Sequence, residues 1–347
     1  MSQLALSIQG LTVYLEGKTG FRRVLSNIEL DVTLGRTFAL LGESGSGKTC
    51  LVQSILGLHS GQPGVVAGHA QVLGREVFTD IDRYVEFIDD ANAPIVNKDI
   101  VGWRKLLNQR WKGVLGTEVA MIPQDASTAL SPFHTVGKLF EATLKNSRPG
   151  MTHEAMRDEA IRWLRSMEMY DVESVLMRYM HELSGGMAQR VAIALALASQ
   201  PRFIIADEPT TGLDATLRIQ LIALLASVVK NHGVTLLLVT HDNAAARMLA
   251  YDVAILYAGT VVESGPVERV LEIEVANKHP YTRYLVESEQ RLNKGERVQR
   301  ARREEEPDKG CPYAANCERV FAPCAAAVPP LLEVAPGHKI ACWAEGS

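Results

Sequence analysis

The chain has 347 residues, 47% of them hydrophobic and 22% charged, ordinary proportions for a folded protein with one large core and a smaller appendage. A formal charge of -4 argues against non-specific nucleic-acid binding, which needs a basic footprint. No apolar run approaches the ~20 residues that span a bilayer, and the N-terminal MSQLALSIQG has neither region of a secretory signal. A cytoplasmic protein is expected, one that would serve a membrane from its inner face through separate partners. Five cysteines do not make a disulfide scaffold: Cys50 stands alone, while Cys311, Cys317, Cys324 and Cys342 crowd the C-terminal end.

In chain order, residues 4–13 alternate as a strand does and 28–34 read as a second strand. Residues 37–41 form a short apolar run feeding GESGSGKT, which predicts a buried strand, a turn and a helix. A Gly- and Pro-rich loop is expected at 57–74. Residues 75–115 read as one or two short amphipathic helices inserted between strands. Helical spacing returns at 137–147 and 153–180, and an Ala- and Leu-rich helix begins near Ser184. Apolar strands at 203–206 and 234–240 flank a helix at 217–230. Apolar strands separated by helices predict an α/β fold with a mainly parallel sheet covered on both faces, and the alternating N-terminal strands predict an added antiparallel portion. Residues 287–309 are almost entirely polar, a solvated helix or linker ahead of the cysteines.

Gly42-Glu43-Ser44-Gly45-Ser46-Gly47-Lys48-Thr49 fits GxxxxGK[ST] in full, between a predicted strand and a predicted helix. Its glycines let backbone N–H groups reach phosphate oxygens, and the helix N-terminus adds a favourable dipole. Lys48 is expected to bridge the β- and γ-phosphates and Thr49 to coordinate Mg²⁺; Cys50 is counted with the loop. The strand at 203–206 runs into Asp207 and Glu208, one carboxylate for Mg²⁺ and one to polarise the attacking water. These residues predict a Mg-dependent nucleoside triphosphatase without choosing among motors, kinases, GTPases and transport subunits. Leu183-Ser184-Gly185-Gly186-Met187 then opens a helix as a second phosphate-binding start. One nucleotide does not need two such sites in one chain, so this one is expected to complete a neighbour's.

On these residues the sequence resembles the ATP-binding subunits of ABC transporters, from residue 4 to about 270. LSGGM stands where their signature motif stands; Gln124 matches the Q-loop glutamine, Thr211-Gly212-Leu213-Asp214 the D-loop, and His241 the switch histidine. The resemblance implies a P-loop cassette over residues 1–270, with a helical subdomain at about 125–195 and an insert at about 75–111. It also implies catalytic roles for Glu208, His241, Gln124 and Lys48, Mg²⁺ held by Thr49, Gln124 and Asp207, and contacts to a neighbour's ATP from Ser184, Gly185, Gly186 and Asp214. An aromatic ring usually stacks on the adenine; Phe21 is the expected one, with Tyr14 the alternative.

Further stretches narrow the resemblance to the oligopeptide/dipeptide/nickel importer subunits: TALSPFHTVG at 128–137, His181-Glu182, Met187, and His279-Pro280-Tyr281-Thr282. Residues 271–309 are read as a polar helical or linker extension, and the cysteine module at 310–347 resembles that of these subunits. Read by themselves, cysteines separated by 5, 6 and 17 residues are soft-metal ligands. Zinc and a [4Fe-4S] cluster both accept four thiolates; the resemblance favours the cluster, with zinc or metal-free cysteines as the other readings. It also implies a second, distinct ATP-binding subunit, two permeases and an extracytoplasmic solute-binding protein. Peptides or related solutes are the expected cargo, with a nickel or metal-chelate importer as an alternative and a soluble ATPase acting on ribosomes or DNA as a remote one. Two features depart from the pattern: the length of the insert, and Ala188 where the signature helix usually carries arginine.

Overall fold

The computed structural model describes residues 3–17, 20–59, 62–78, 80–88, 95–275, 277–294 and 310–345. Residues 295–309 of the expected polar linker and 89–94 of the expected insert lie outside them. The chain divides into two compact units: Met1–Gln3, Thr33–Arg36 and Gln109–Val239 form the first, and Leu4–Val32, Thr37–Asn108 and Thr240–Ser347 the second.

In the first unit, strand Phe203–Asp207 is flanked by two parallel neighbours, Val119–Ile122 and Thr235–Thr240, with Val119 and Thr235 both opposite Phe203. Phe203–Ala206 and Leu236–Val239 are buried without alternation, as a parallel sheet covered on both faces requires. Helices Val136–Ser147, His153–Ser166, Val172–Met177 and Gly185–Ala198 gather in the same unit. The helix expected to run from 153 to 180 stops at Ser166, because Glu168 and Asp171 take left-handed φ values of 55° and 47°, which no helix continues. Glu159, 5% exposed, holds this bundle together. It accepts from Trp163 Nε1 at 3.1 Å and from Arg148 at 2.8 Å, and Arg148 also donates to the Ala198 carbonyl. A buried carboxylate persists only with such partners.

In the second unit, a four-stranded sheet runs Gly20–Thr33, Leu4–Gly17, Pro63–Val72, Arg75–Phe78. The loop expected at 57–74 is therefore largely a strand, antiparallel to Leu4–Gly17 from Leu6↔Val72 to Leu15↔Pro63. Glycine there serves close approach: at Gly68, with φ of 108°, a Cβ would lie 2.5 Å from Leu11 Cα, where the register shifts. The insert also differs from expectation. One helix forms, Ile100–Trp111, but the stretch before it is a hairpin of Val85–Ile88 with Ile95–Lys98. Its β-branched and aromatic residues favour a strand over a helix.

A second group of strands in this unit places Asp252–Tyr257 parallel to Thr37–Leu41 and antiparallel to Thr260–Pro266. The C-terminal segment adds His338–Ile340 beside Thr260–Pro266, then Leu332–Ala335. Glu263, fully buried, fixes this extension: its Oε1 lies 2.8 Å from His338 Nε2, and its Oε2 accepts from the His279 amide at 2.8 Å. Among the described residues no helix is long and apolar enough to cross a membrane.

Lys98, at the end of the hairpin, points inward. Its Nζ donates to the Pro63 and Val65 carbonyls at 2.9 and 2.6 Å and lies 4.8 Å from the centre of the Trp103 ring. Burial pushes its pKa down to about 7. Between about pH 7 and the ordinary lysine value, the unfolded chain therefore binds the proton that the folded chain releases, and stability gains a rising contribution with pH. Lys98→Met should flatten that rise. Denaturant unfolding of both proteins from pH 7 to 10 checks this, and parallel curves would refute it.

Candidate nucleotide site

The phosphate loop lies in the second unit. Strand Thr37–Leu41 is buried along its whole length and ends at Gly42, packed so closely that an added Cβ would collide with the Leu256 carbonyl oxygen. Helix Lys48–Leu56 follows from Gly47, at φ of 107°, and carries no side-chain cap at its N-terminus. Amides at such an end suit an anion, which supplies the missing acceptors. Ser46 Oγ is buried and meets no partner among the described residues. An orphaned hydroxyl in a loop of this shape fits a phosphate oxygen. Lys48, 4% exposed, folds back on its own loop and donates to the Gly42 and Glu43 carbonyls at 2.7 and 3.0 Å. Ser44 and Gly45 form the exposed tip; Thr49 is half-buried behind it.

Cys50 is half-buried in the helix that follows the loop. Its sulfur lies 3.5 Å from His59 Nε2, and burial pushes the thiol up to about 11, so it stays protonated. His241, also in this unit, is exposed and follows strand Thr235–Thr240 directly. Asp242 beyond it caps helix Asn243–Leu249 by accepting from the Ala245 amide. Phe21 and Tyr14 both lie half-buried in the four-stranded sheet.

The carboxylates lie in the first unit. Asp207, 2% exposed, is the last residue of its strand. Glu208 has a φ of 44°, a left-handed conformation that a non-glycine residue adopts only at a cost. Its amide donates to the Val239 carbonyl at 2.8 Å and its Oε2 accepts from Thr211 Oγ1 at 3.0 Å. The carboxylate is thus aimed by both backbone and side-chain bonds. Gln124 is exposed, two residues beyond strand Val119–Ile122.

Ser184 caps helix Gly185–Ala198, accepting from the Met187 amide at 3.3 Å. Around Gly185 and Gly186 an added Cβ would meet nothing nearer than Leu213 at 4.0 Å and Leu217 at 3.5 Å, so this helix start stays open. Asp214 caps helix Ala215–His232 through the Thr216 and Leu217 amides, both at 3.0 Å. Sequence reasoning missed Gln189: buried in the signature helix, it donates to the Pro123 carbonyl at 3.1 Å and so ties that helix to the residue before Gln124. A glutamine on an otherwise Ala- and Leu-rich helix was the available signal.

Cys311, Cys317, Cys324 and Cys342 line one small cavity with His279, Tyr313 and Trp343. Burial pushes Cys311 up to about 11 and raises Cys342 as well. Four thiols facing one apolar cavity are a soft-metal donor set in kind. Among the described residues, however, no group of three or more His, Cys, Asp or Glu is arranged to hold a metal ion.

Residues 25–211 match the family described as ABC transporter. The chain belongs to it. Residues 262–324 match a second description, Oligopeptide/dipeptide transporter, C-terminal region. The dipeptide transport ATP-binding protein DppD of Bacillus subtilis is 33% identical over 97% of this chain and 94% of its own. A probable D,D-dipeptide transport ATP-binding protein of Escherichia coli is 35% identical over 81% of this chain and 77% of its own. Among solved structures, an ATP-binding cassette captured as a dimer after hydrolysis, bound to ADP and Pi, is 25% identical. It covers 76% of this chain and 98% of its own, with a TM-score of 0.59. An ABC-family ATP-binding chain hydrolyses ATP, and the phosphate loop described above is where Lys48→Ala should tell. If the Lys48 ammonium makes a charge-assisted bond to a phosphate, removing it should weaken ATP binding about ten-fold or more. Titration with a fluorescent ATP analogue measures it, and unchanged affinity would remove Lys48 from the site.

Proposed function

We propose that this chain is the ATP-hydrolysing subunit of a peptide importer, acting at the inner face of the cell membrane on two separate permeases. The observation that carries this reading is the match over residues 262–324 to the oligopeptide/dipeptide transporter C-terminal region. Near full-length similarity to proteins named for dipeptide transport supports it. The second ATPase of the pair is similar but distinct, and an extracytoplasmic binding protein delivers the solute. On this reading residues 1–270 are the cassette, with the insert at about 75–111 and the helical subdomain at about 125–195, residues 271–309 the extension and 310–347 the cysteine module.

Each residue's part follows from its chemistry. The amides of Gly45, Gly47, Lys48 and Thr49 and the Ser46 hydroxyl hold phosphate oxygens, and Lys48 leaves its loop carbonyls to bridge the β- and γ-phosphates. Phe21 stacks on the adenine. Thr49, Gln124 and Asp207 offer hydroxyl, amide and carboxylate oxygens, the hard donors that Mg²⁺ prefers; the ion neutralises charge on the phosphates. Glu208 orients the attacking water and accepts its proton as oxygen bonds to the γ-phosphorus and the bond to the bridging oxygen breaks, releasing ADP and phosphate. His241 donates to the γ-phosphate. Ser184, Gly185, Gly186 and Asp214 serve the ATP of the paired subunit, so binding closes the pair and hydrolysis releases it. The cysteine cavity is where a [4Fe-4S] cluster or a zinc ion would be held by Cys311, Cys317, Cys324 and Cys342, its donor set being what supports that reading.

Glu208→Gln keeps the shape of the side chain and removes the proton acceptor. In the assembled transporter it should retain ATP affinity and lose about a hundred-fold or more in turnover, the range for a positioned base. Phosphate release assays decide it: normal turnover would mean that the water is positioned by another group.

A further inference from the structure

The phosphate loop is anchored by a residue far away in sequence. Glu43 is the junction of the loop: its carbonyl accepts from the Ser46 amide at 3.1 Å and from Lys48 Nζ at 3.0 Å. Its amide points the other way and donates to the hydroxyl of Tyr281 at 3.2 Å. Tyr281 belongs to the His279-Pro280-Tyr281-Thr282 stretch at the start of helix Pro280–Asn293, 238 residues along the chain from Glu43. It is fully buried, and burial holds its hydroxyl well above the usual phenol range, so it stays neutral.

The ring has no freedom to follow a moving loop. Tyr257 lies 4.4 Å from it between centroids and Tyr313 lies 5.5 Å from it. Tyr313 stands between Cys311 and Cys317 in sequence and lines the cysteine cavity. The backbone of Tyr281 is held too: its amide donates to His279 Nδ1 at 3.1 Å, and the His279 amide donates to buried Glu263. The bond from the Tyr281 amide makes Nδ1 the acceptor nitrogen of the ring. A hydroxyl with both its ring and its backbone fixed is a rigid acceptor, and the peptide it holds is the one on which Lys48 rests.

We propose that Tyr281 is a positioning residue for the phosphate loop, fixing the Glu43 peptide so that the loop amides and Lys48 are pre-set for the phosphates of ATP. This rests on the reading of residues 42–49 as the ATP site. Nothing in the phosphate-loop motif itself calls for a tyrosine after the catalytic strands; the contact assigns part of the nucleotide affinity to the C-terminal region.

Tyr281→Phe keeps the ring and removes only the hydroxyl, so the packing with Tyr257 and Tyr313 survives. One lost hydrogen bond to a half-buried amide should raise KM for ATP about five-fold in the assembled transporter, with kcat within about two-fold. Hydrogen exchange of the Glu43 amide in the nucleotide-free full chain should quicken by about ten-fold or more, a change that altered packing elsewhere would not give. An unchanged KM, or a Glu43 amide protected as in the wild type, would overturn the proposal. Lys48→Ala in the same assay separates the two readings. If it abolishes ATP binding while Tyr281→Phe does nothing, only this inference falls; if Lys48→Ala also binds normally, the reading of the ATP site falls with it.

Discussion

A loop that presents its own amides to a phosphate cannot use those amides to hold itself together. The chain around it must supply the restraint, and much of the second unit does so. Gly42 sits against the Leu256 carbonyl with no room for a side chain, the Gly259 amide donates to the Ser46 carbonyl at 2.9 Å, and the Tyr281 hydroxyl takes the Glu43 amide. Each restraint uses a backbone group that does not face the ligand. The groups left over are the helix N-terminus and the buried Ser46 hydroxyl, beside a Lys48 ammonium held on the Gly42 and Glu43 carbonyls, a set that suits an ATP phosphate.

The C-terminal region is tied to the same unit through one buried carboxylate. Glu263 is fully buried, and an ion of that kind costs several kcal/mol unless both oxygens are engaged. One faces His338 in the strand that extends the sheet, and the other accepts the His279 amide just ahead of Tyr281. Docking of the terminal strand and seating of the tyrosine thus depend on the same side chain. This gives the segment after the catalytic strands a structural connection to the phosphate loop whether or not its cysteines hold a metal.

The motifs with fixed spacing were legible in the sequence because their physics is local. GESGSGKT between an apolar strand and a helix, LSGGM at a helix start, and two carboxylates ending a buried strand each carry their context with them. The strand at 63–72 was not legible: its glycines and proline read as a loop, and only pairing with Leu4–Gly17 explains why Gly68 must be glycine. The hairpin within the insert was missed for a similar reason, since VEFI and IVNK become strands by pairing with each other. Glu208 was read correctly as a strand-end carboxylate, but its left-handed backbone has no trace in composition. Gln189 and Tyr281 act through contacts 66 and 238 residues long, beyond any periodicity. The cysteines were legible as a group, and the fold does bring all four to one cavity.

In its proposed role this ATPase drives separate membrane permeases. Affinity purification of the full chain from its native membrane, with identification of what comes with it and metal analysis of the same sample, tests that role. Two permeases and a second ATP-binding subunit are expected in constant proportion to this chain. Recovery with ribosomes or DNA-processing factors and without permeases would leave the ATP chemistry standing and contradict the transport role.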